Sequence, residues 1–467
     1  MSTDAATDSA TDSGARRFRR GLAATLGVLA LAAVSLGAAG FLQGPKLVDA
    51  AVDVQRVTRL AESRLVLQLN QPVARVGELR ISPHEPAALE LDGDRLVVTF
   101  ARPLPAGTEF HVAIDDVVGG AQPAAADVAY RFTTADEPVF TLVRRSPEGR
   151  PDVVRRATAS EPAPSDVLEA PRLQSFTAAG EVVVAAAIEE DGTNTLRVAG
   201  GGETTQLVGL PEPGVVRRIA ASTTHPLVAL GFDGRTNLGG GEPRYRHALF
   251  TLDVSGAQAA LEPVLRPDGE PFAVADWRFV PGTTSLVLQD LDGGLFVVDA
   301  LGLSPPMALG AHAELRGILP GTAVLVVADP DGGALIDLTT GEATANELPP
   351  AGLPEQAYPG RVQQLDADGA YLMDVLLAGD GGTESLLALV DGAGTEVRWA
   401  SGPGSRLAGS CLSPNGRLVA VETVAADAPY DGYPNAPSPV DRLTTVVDLA
   451  SGDPVLVQNG GFSDWCG

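Results

Sequence analysis

The chain has almost no lysine. Of its 33 basic residues only Lys46 is a lysine, and all the others are arginine. With so much Ala and Val, this bias fits a high-GC coding sequence and carries no functional signal. Five His and three Met leave little material for imidazole or soft-metal chemistry. Only two cysteines occur, and none precedes Cys411, which excludes a lipoprotein. There is no Gly-x-Ser-x-Gly elbow, no His-Glu-x-x-His and no phosphate loop. No catalytic residue, metal site or cofactor is therefore expected. Basic residues are also outnumbered by 59 acidic ones, giving a formal charge of -26 and a pI near 4.5. That balance keeps a chain soluble and argues against a nucleic-acid partner.

What is abundant points to turns. There are 53 Gly and 36 Pro, too many for a helical protein. At 467 residues the chain exceeds one ordinary core unless it is a repeat fold. Residues 1–20 form a small, polar, Asp-containing tail ending in Arg16, Arg17, Arg19 and Arg20, and its first part is expected to be disordered. Gly21 to Leu42 then runs for 22 residues without a charge, enough for a bilayer core at about 1.5 Å per residue. The arginines before it predict a signal anchor with a cytoplasmic N-terminus and the later residues outside the cell. A cleaved signal peptide, with Gly37-Ala38-Ala39 as the cleavage site, is the rival reading. Arg16-Arg17 makes only a weak twin-arginine signal, because arginines follow Phe18 where an apolar pair belongs.

Residues 46–135 read as a small β-sandwich. Arg64 to Val73, Arg95 to Phe100 and Glu109 to Ile114 alternate apolar and polar residues, as half-buried strands do. Asn70-Gln71-Pro72-Val73, Pro103-Leu104-Pro105-Ala106-Gly107-Thr108-Glu109-Phe110 and Phe132-Thr133-Thr134 resemble the bacterial Ig-like domain of S-layer and other envelope proteins. The resemblance implies a spacer or adhesion module without catalytic residues.

Residues 138–467 repeat. Ser410-Cys411-Leu412-Ser413-Pro414-Asn415-Gly416-Arg417-Leu418 reads as strand, turn, strand, and echoes of it recur at about 35–50 residues. Six repeats begin near Pro171, Val215, Phe272, Ala313, Arg361 and Arg406. Each has a strand, a Gly or Pro turn, an apolar strand and a strand ending at Asp. Two orphan strands within 139–156 and one at 461–466 would share a composite blade, which removes the open edge of the ring. The expectation is an all-β chain: an N-terminal transmembrane helix, an Ig-like sandwich, then a β-propeller of about seven blades, with six or eight left open. The Ser-Pro-Asn-Gly run resembles TolB-like and WD-repeat-like propellers, and it is a fold marker rather than a functional one. Anchor, Ig-like unit and propeller together resemble a membrane-anchored actinobacterial family.

Asp290-Leu291-Asp292-Gly293-Gly294 and Asp329-Pro330-Asp331-Gly332-Gly333 start like calcium loops but lack the later ligands, so hairpin turns are expected. Two long loops stand out, Gly234 to His247 and Ala425 to Arg442, both between second and third strands and so on one rim. Their candidate binding residues are Arg244, Tyr245, Arg246, His247, Tyr430, Asp431 and Tyr433, with a decorated, packed hairpin as the alternative. Aligning the repeats on their turns puts Cys411 and Cys466 at one equivalent position on neighbouring strands. In an oxidising compartment a disulfide follows. Together these features predict a non-enzymatic, membrane-anchored envelope protein whose propeller binds a protein, peptide or glycan. The alternative is a propeller-class hydrolase or lyase, and a purely structural stalk is the third class.

Overall fold

The structure is a computed structural model. It describes residues 18–32, 34, 44–120, 124–200, 205–236, 241–256, 259–379 and 382–466. Residues 18–32 are helical, and Leu22, Leu26, Leu29 and Leu31 on that helix are exposed. Among the described residues no helix is long and apolar enough to cross a membrane. The expected span over 21–42 is thus not found as one helix, and most of its second half lies outside the described residues, as does the tail up to residue 17.

The chain forms two compact units. The first holds two four-stranded antiparallel sheets. One orders its strands Leu47–Val52, Ser63–Leu69, Arg95–Phe100 and Ala87–Asp92. In the other, Val73–Arg75, Leu79–Ser82 and Ala125–Thr133 all pair with the long strand Glu109–Gly119. Alternation fixes the inner faces: Leu65, Leu67, Leu96, Val98 and Phe100 from one sheet, Phe110, Val112 and Ile114 from the other, all fully buried. Phe100 and Phe132 meet across the two sheets at 6.3 Å.

The second unit comprises residues 54–63, 101–108 and 133–467, so the boundary is not a single cut near residue 136. It is a propeller. Six four-stranded antiparallel sheets follow in chain order, with first strands Leu173–Ala179, Gly214–Ala221, Val274–Phe279, Glu314–Ile318, Ala357–Gln364 and Ser405–Leu412; these are blades one to six. Their second strands, such as Val182–Ile188 and Leu227–Gly234, are apolar almost throughout, because neighbouring blades cover both faces. A seventh, composite blade consists of Val139–Val143, Asp152–Ala157 and Ser165–Ala170. Its inner edge pairs with the C-terminal segment through Leu142 and Gly461. Two expectations are corrected here. The composite blade has three strands from the N-terminal side, not two, and the tail contributes one bridge at Gly461 before turning into the 3-10 helix Asp464–Cys466.

The repeated motifs are local hydrogen-bond devices. Asn415 Oδ1 accepts from the Ser413 hydroxyl and from Arg417 N, while Ser413 Oγ accepts from Leu418 N. Gly416 has φ +66°, the left-handed conformation that this turn needs. The aspartates closing the third strands, Asp253, Asp299, Asp337 and Asp448, each accept an amide two residues on, at 2.7–2.9 Å. Asp290 accepts from Asp292 N and Gly294 N, and Asp329 from Ala313 N, so both calcium-like runs serve turns and connections.

One regularity was not read from the sequence. Every first strand slips register once, between Leu173 and Ser175, Val216 and Arg218, Val274 and Asp276, Leu315 and Gly317, Pro359 and Val362, and Leu407 and Gly409. At four of these bulges the amide just before it bonds to a buried polar side chain of the preceding blade. Leu173 N donates to Asp152, Val216 N to Asn194, Leu315 N to Gln289 and Leu407 N to Ser385. An amide freed by a bulge needs another acceptor, and a buried orphan costs about 1–3 kcal/mol. The remaining junctions have their own ties. Arg218 reaches Asp276, Asn346 reaches Gln364, and Ser463 N donates to Glu422. Bonds thus run from every blade to the next and from the last back to the first.

Candidate functional site

Both insertions join the second and third strands of their blades. They also meet. Arg235 donates to the carbonyl of Asp191, and Asn435 Nδ2 donates to that of Gly192 at 3.0 Å, so both reach the same turn of blade one. The candidate residues on them divide sharply. Tyr245 is 8% exposed and stands edge-on to Phe232 and Phe250 in a hydrophobic core. Arg244 and Arg246 are exposed, and Arg246 pairs with Glu242 at 3.8 Å. His247 takes φ +53°, donates its amide to Asp233 and lies against the Arg217 guanidinium.

The second insertion is a latch across the ring's seam. Tyr433 is 3% exposed and donates its hydroxyl to Asp152 of the composite blade. Burial and that carboxylate hold the phenol protonated, well above its ordinary range. Arg144, also on the composite blade, lies between the rings of Tyr433 and Phe462, 4.2 and 4.4 Å from their centroids. It donates to Asp431 at 2.7 Å, to Ala436 O at 2.8 Å and to Gln174 O of blade one. Burial pulls this guanidinium below its usual range and Asp431 holds it up. Asp431 in turn accepts the amides of Tyr433 and Ser438. Tyr433, Asp431 and Tyr245 are therefore packing residues, which corrects their reading as rim recognition groups. Tyr430, 65% exposed, stays at the surface with Arg244 and Arg246.

A cavity runs down the propeller's centre, with a volume of about 610 Å³. First strands line it because in this fold they stand innermost. Arg218, Arg278 and Arg361, all on first strands, line it. Arg218 and Arg278 both donate to a single oxygen of Asp276, the second at 2.6 Å. Arg361 donates to Ser410 O at 3.3 Å, and Ser410 Oγ donates to Asp374 at 2.6 Å. Burial, then the like charges of Arg278 and Arg361, push the Arg218 guanidinium down to about 10, against the pull of Asp276. Arg361 is lowered by burial and by Arg278. Burial raises the Asp374 carboxyl, and the Ser410 hydroxyl and Arg361 oppose the rise. Beside them Trp277 is 3% exposed, packs under Arg218 at 4.8 Å, and its indole N–H has no acceptor among the described residues. A chain of net charge -26 thus concentrates positive charge at its own centre.

One mouth of the cavity is partly filled by the 54–63 segment. Ala61 N donates to Gly321 O at 2.9 Å. Arg59 donates to Thr223 O at 2.6 Å and lies 3.6 Å from Glu137. Glu137 is almost fully buried, and burial raises its carboxyl although Arg59 opposes this. Asp464, from the C-terminal helix, accepts Phe140 N at 3.0 Å. Burial raises Asp464 to about 7, Glu137 adds to the rise, and the Phe140 amide opposes it. Cys411 is 3% exposed and sits three residues past its bulge, as Arg278 does. The Cys466 side chain lies outside the described residues.

No family model matches the chain, and no curated protein matches it. Several solved structures are similar to it. Dihydro-heme d1 dehydrogenase NirN, in complex with DHE, has 16% identity and a TM-score of 0.38, over 70% of this chain and 74% of that one. AztD from Citrobacter koseri, in its apo form, has 13% identity and a TM-score of 0.36, over 70% and 83%. A TolB-type protein from Agrobacterium tumefaciens has 13% identity and a TM-score of 0.32, over 70% and 91%. The propeller assignment stands on the sheet order and the closed chain of inter-blade bonds.

Proposed function

We propose that the protein is a non-enzymatic binding module of the cell envelope whose ligand enters the central channel rather than docking on the insertion-bearing rim. The observation that supports this is the channel itself: a cavity of about 610 Å³ lined by fixed arginine donors, beside a rim whose aromatic candidates are largely buried. Residues 21–42 serve as the membrane anchor, and the first unit, which resembles bacterial Ig-like domains, serves as a spacer. The partner is a protein, peptide or glycan of the envelope. A pull-down from detergent-solubilised membranes with the full chain as bait tests the reading. Capture is expected to survive Tyr430→Ala and to be lost in Arg278→Gln. The opposite pattern would return the binding face to the rim.

The hydrolase or lyase alternative needs an acid–base pair in the channel. Glu137 and Asp464, both raised, are the carboxyls it would use. Against it, Asp464 already holds the Phe140 amide. Two further parts of the reading have direct tests. Protease added to intact cells with a permeable wall is expected to digest both units. A Cys411–Cys466 bridge would close a loop of about 55 residues, and the chain-entropy model gives roughly 4 kcal/mol for it. Two alkylated cysteines in the denatured, unreduced protein would rule that bridge out.

A further inference from the structure

We infer that the channel holds a specific site for a small oxyanion carrying two or more negative charges, carboxylate or phosphate in chemistry, seated among Arg218, Arg278, Arg361 and the indole N–H of Trp277. The inference rests on reading the channel as the ligand site and names what that site takes.

The first observation is a charge imbalance built from geometry. Arg218 and Arg278 converge on one carboxylate oxygen of Asp276, and Arg361 faces the same cavity. Arg278 also donates to the carbonyl of Trp277 at 2.7 Å, and the three guanidiniums bring fixed forks of donors to one cavity. Asp374 is engaged by the Ser410 hydroxyl, and Glu137, Asp329 and Asp464 line the same cavity. Like charges gathered in a partly enclosed space repel one another unless an anion joins them.

The second observation is independent of charge. Trp277 is buried beside these arginines and its Nε1–H donor is unmatched. Buried indole N–H groups ordinarily find an acceptor. A ligand oxygen in the channel supplies one. Arginine forks bind carboxylate and phosphate oxygens two at a time, so a single anion can engage several of these donors at once. The cavity of about 610 Å³ falls in the ordinary range of small-ligand sites and is larger than a lone inorganic ion needs.

The test is titration calorimetry on the full chain in detergent at constant ionic strength. The probes are inorganic phosphate, sulfate, succinate and citrate, with chloride as the monovalent reference. Saturable binding of at least one multivalent probe is expected. Arg278→Gln and Arg361→Gln should each weaken it about tenfold or more. Trp277→Phe should weaken it less, while keeping the ring that packs under Arg218. Citrate or succinate binding above phosphate identifies the carboxylate source, and the reverse identifies phosphate. Where a glutamine variant does not fold by circular dichroism, Arg361→Lys keeps the charge and loses the fork, and a tenfold loss is again expected. No saturable binding of any probe by the folded wild type, or equal affinity in wild type and Arg278→Gln, overturns the inference. Partner capture that depends on Arg278 in the absence of small-anion binding would leave the broader binding reading standing and sink this one alone. Anion binding without any captured partner would do the reverse.

Discussion

Two arginine-rich places in the propeller use the same side chain for opposite ends. At the seam, Arg144 has a carboxylate, two backbone carbonyls and two aromatic faces, and it is buried among them. In the channel, Arg218 and Arg278 share one oxygen of Asp276 while Arg361 adds a third charge. The first arrangement is buried among the protein's own groups at the seam and holds the ring shut. The second faces a cavity of about 610 Å³ beside an indole N–H that has no acceptor among the described residues, which is how a scaffold keeps a place for a ligand. Counting arginines does not tell the two apart; what they face does.

The largest effect is expected at the seam. Arg144→Ala leaves Asp431 buried without its cation, which typically costs 3–5 kcal/mol. Thermal melting should show a loss of that size, with anion binding in the channel retained by the folded fraction. A change under 1 kcal/mol would mean the latch does not hold the seam.

The next effect is pH-dependent and also belongs to the seam. Asp464 has a folded pKa raised from 3.8 to about 7. Its protonated form is the one that the folded state favours. Its stabilising contribution is therefore complete below about pH 4 and is lost as pH rises towards 7, by up to about 1.4 kcal/mol per unit. In Asp464→Asn the side-chain oxygen still accepts Phe140 N, and this part of the slope should vanish. A melting-temperature series from pH 5 to 8 checks it. Identical slopes in both proteins would place the titration elsewhere.

Smaller still is the contrast between two tyrosines of one loop. Tyr433→Phe strips Asp152 of a buried donor and should cost about 1–3 kcal/mol. Tyr430→Ala, at an exposed position, should stay within about 0.5 kcal/mol. Equal effects in denaturant unfolding would undo the division of that loop into a packed and an exposed part.

Local signals carried the fold far. Each predicted repeat start falls within a few residues of an observed first strand, as Val215 does within Gly214–Ala221 and Arg406 within Ser405–Leu412. Turns are short-range chemistry, so Ser413, Asn415 and Gly416 announce their hairpin without help from elsewhere. The strand Ser165–Ala170 escaped because it is an outer strand between Pro164 and Pro171, with only Val167 and Leu168 as large apolar residues. The latch escaped for a different reason. Arg144 and Asp431 are 287 residues apart, and no period connects them. The channel arginines were closer to legible. Aligning the repeats on their turns already sets Arg278 on an innermost strand, and extending that alignment to Arg218 and Arg361 gathers all three at the axis. The bulges of the first strands leave no mark in composition, since the bulged residues are as different as Gln174, Ala275 and Arg316.

The most direct test sets the two places side by side. Melting curves of wild type, Arg144→Ala and Arg278→Gln would be recorded with and without the tightest-binding anion, at matched ionic strength. The expected result is that Arg144→Ala melts far lower yet keeps the upward shift on adding anion. Arg278→Gln should melt within about 1 kcal/mol of wild type and show no shift. An anion-induced shift that persists in Arg278→Gln, or a collapse of its stability equal to that of Arg144→Ala, would contradict the division of labour between latch and channel.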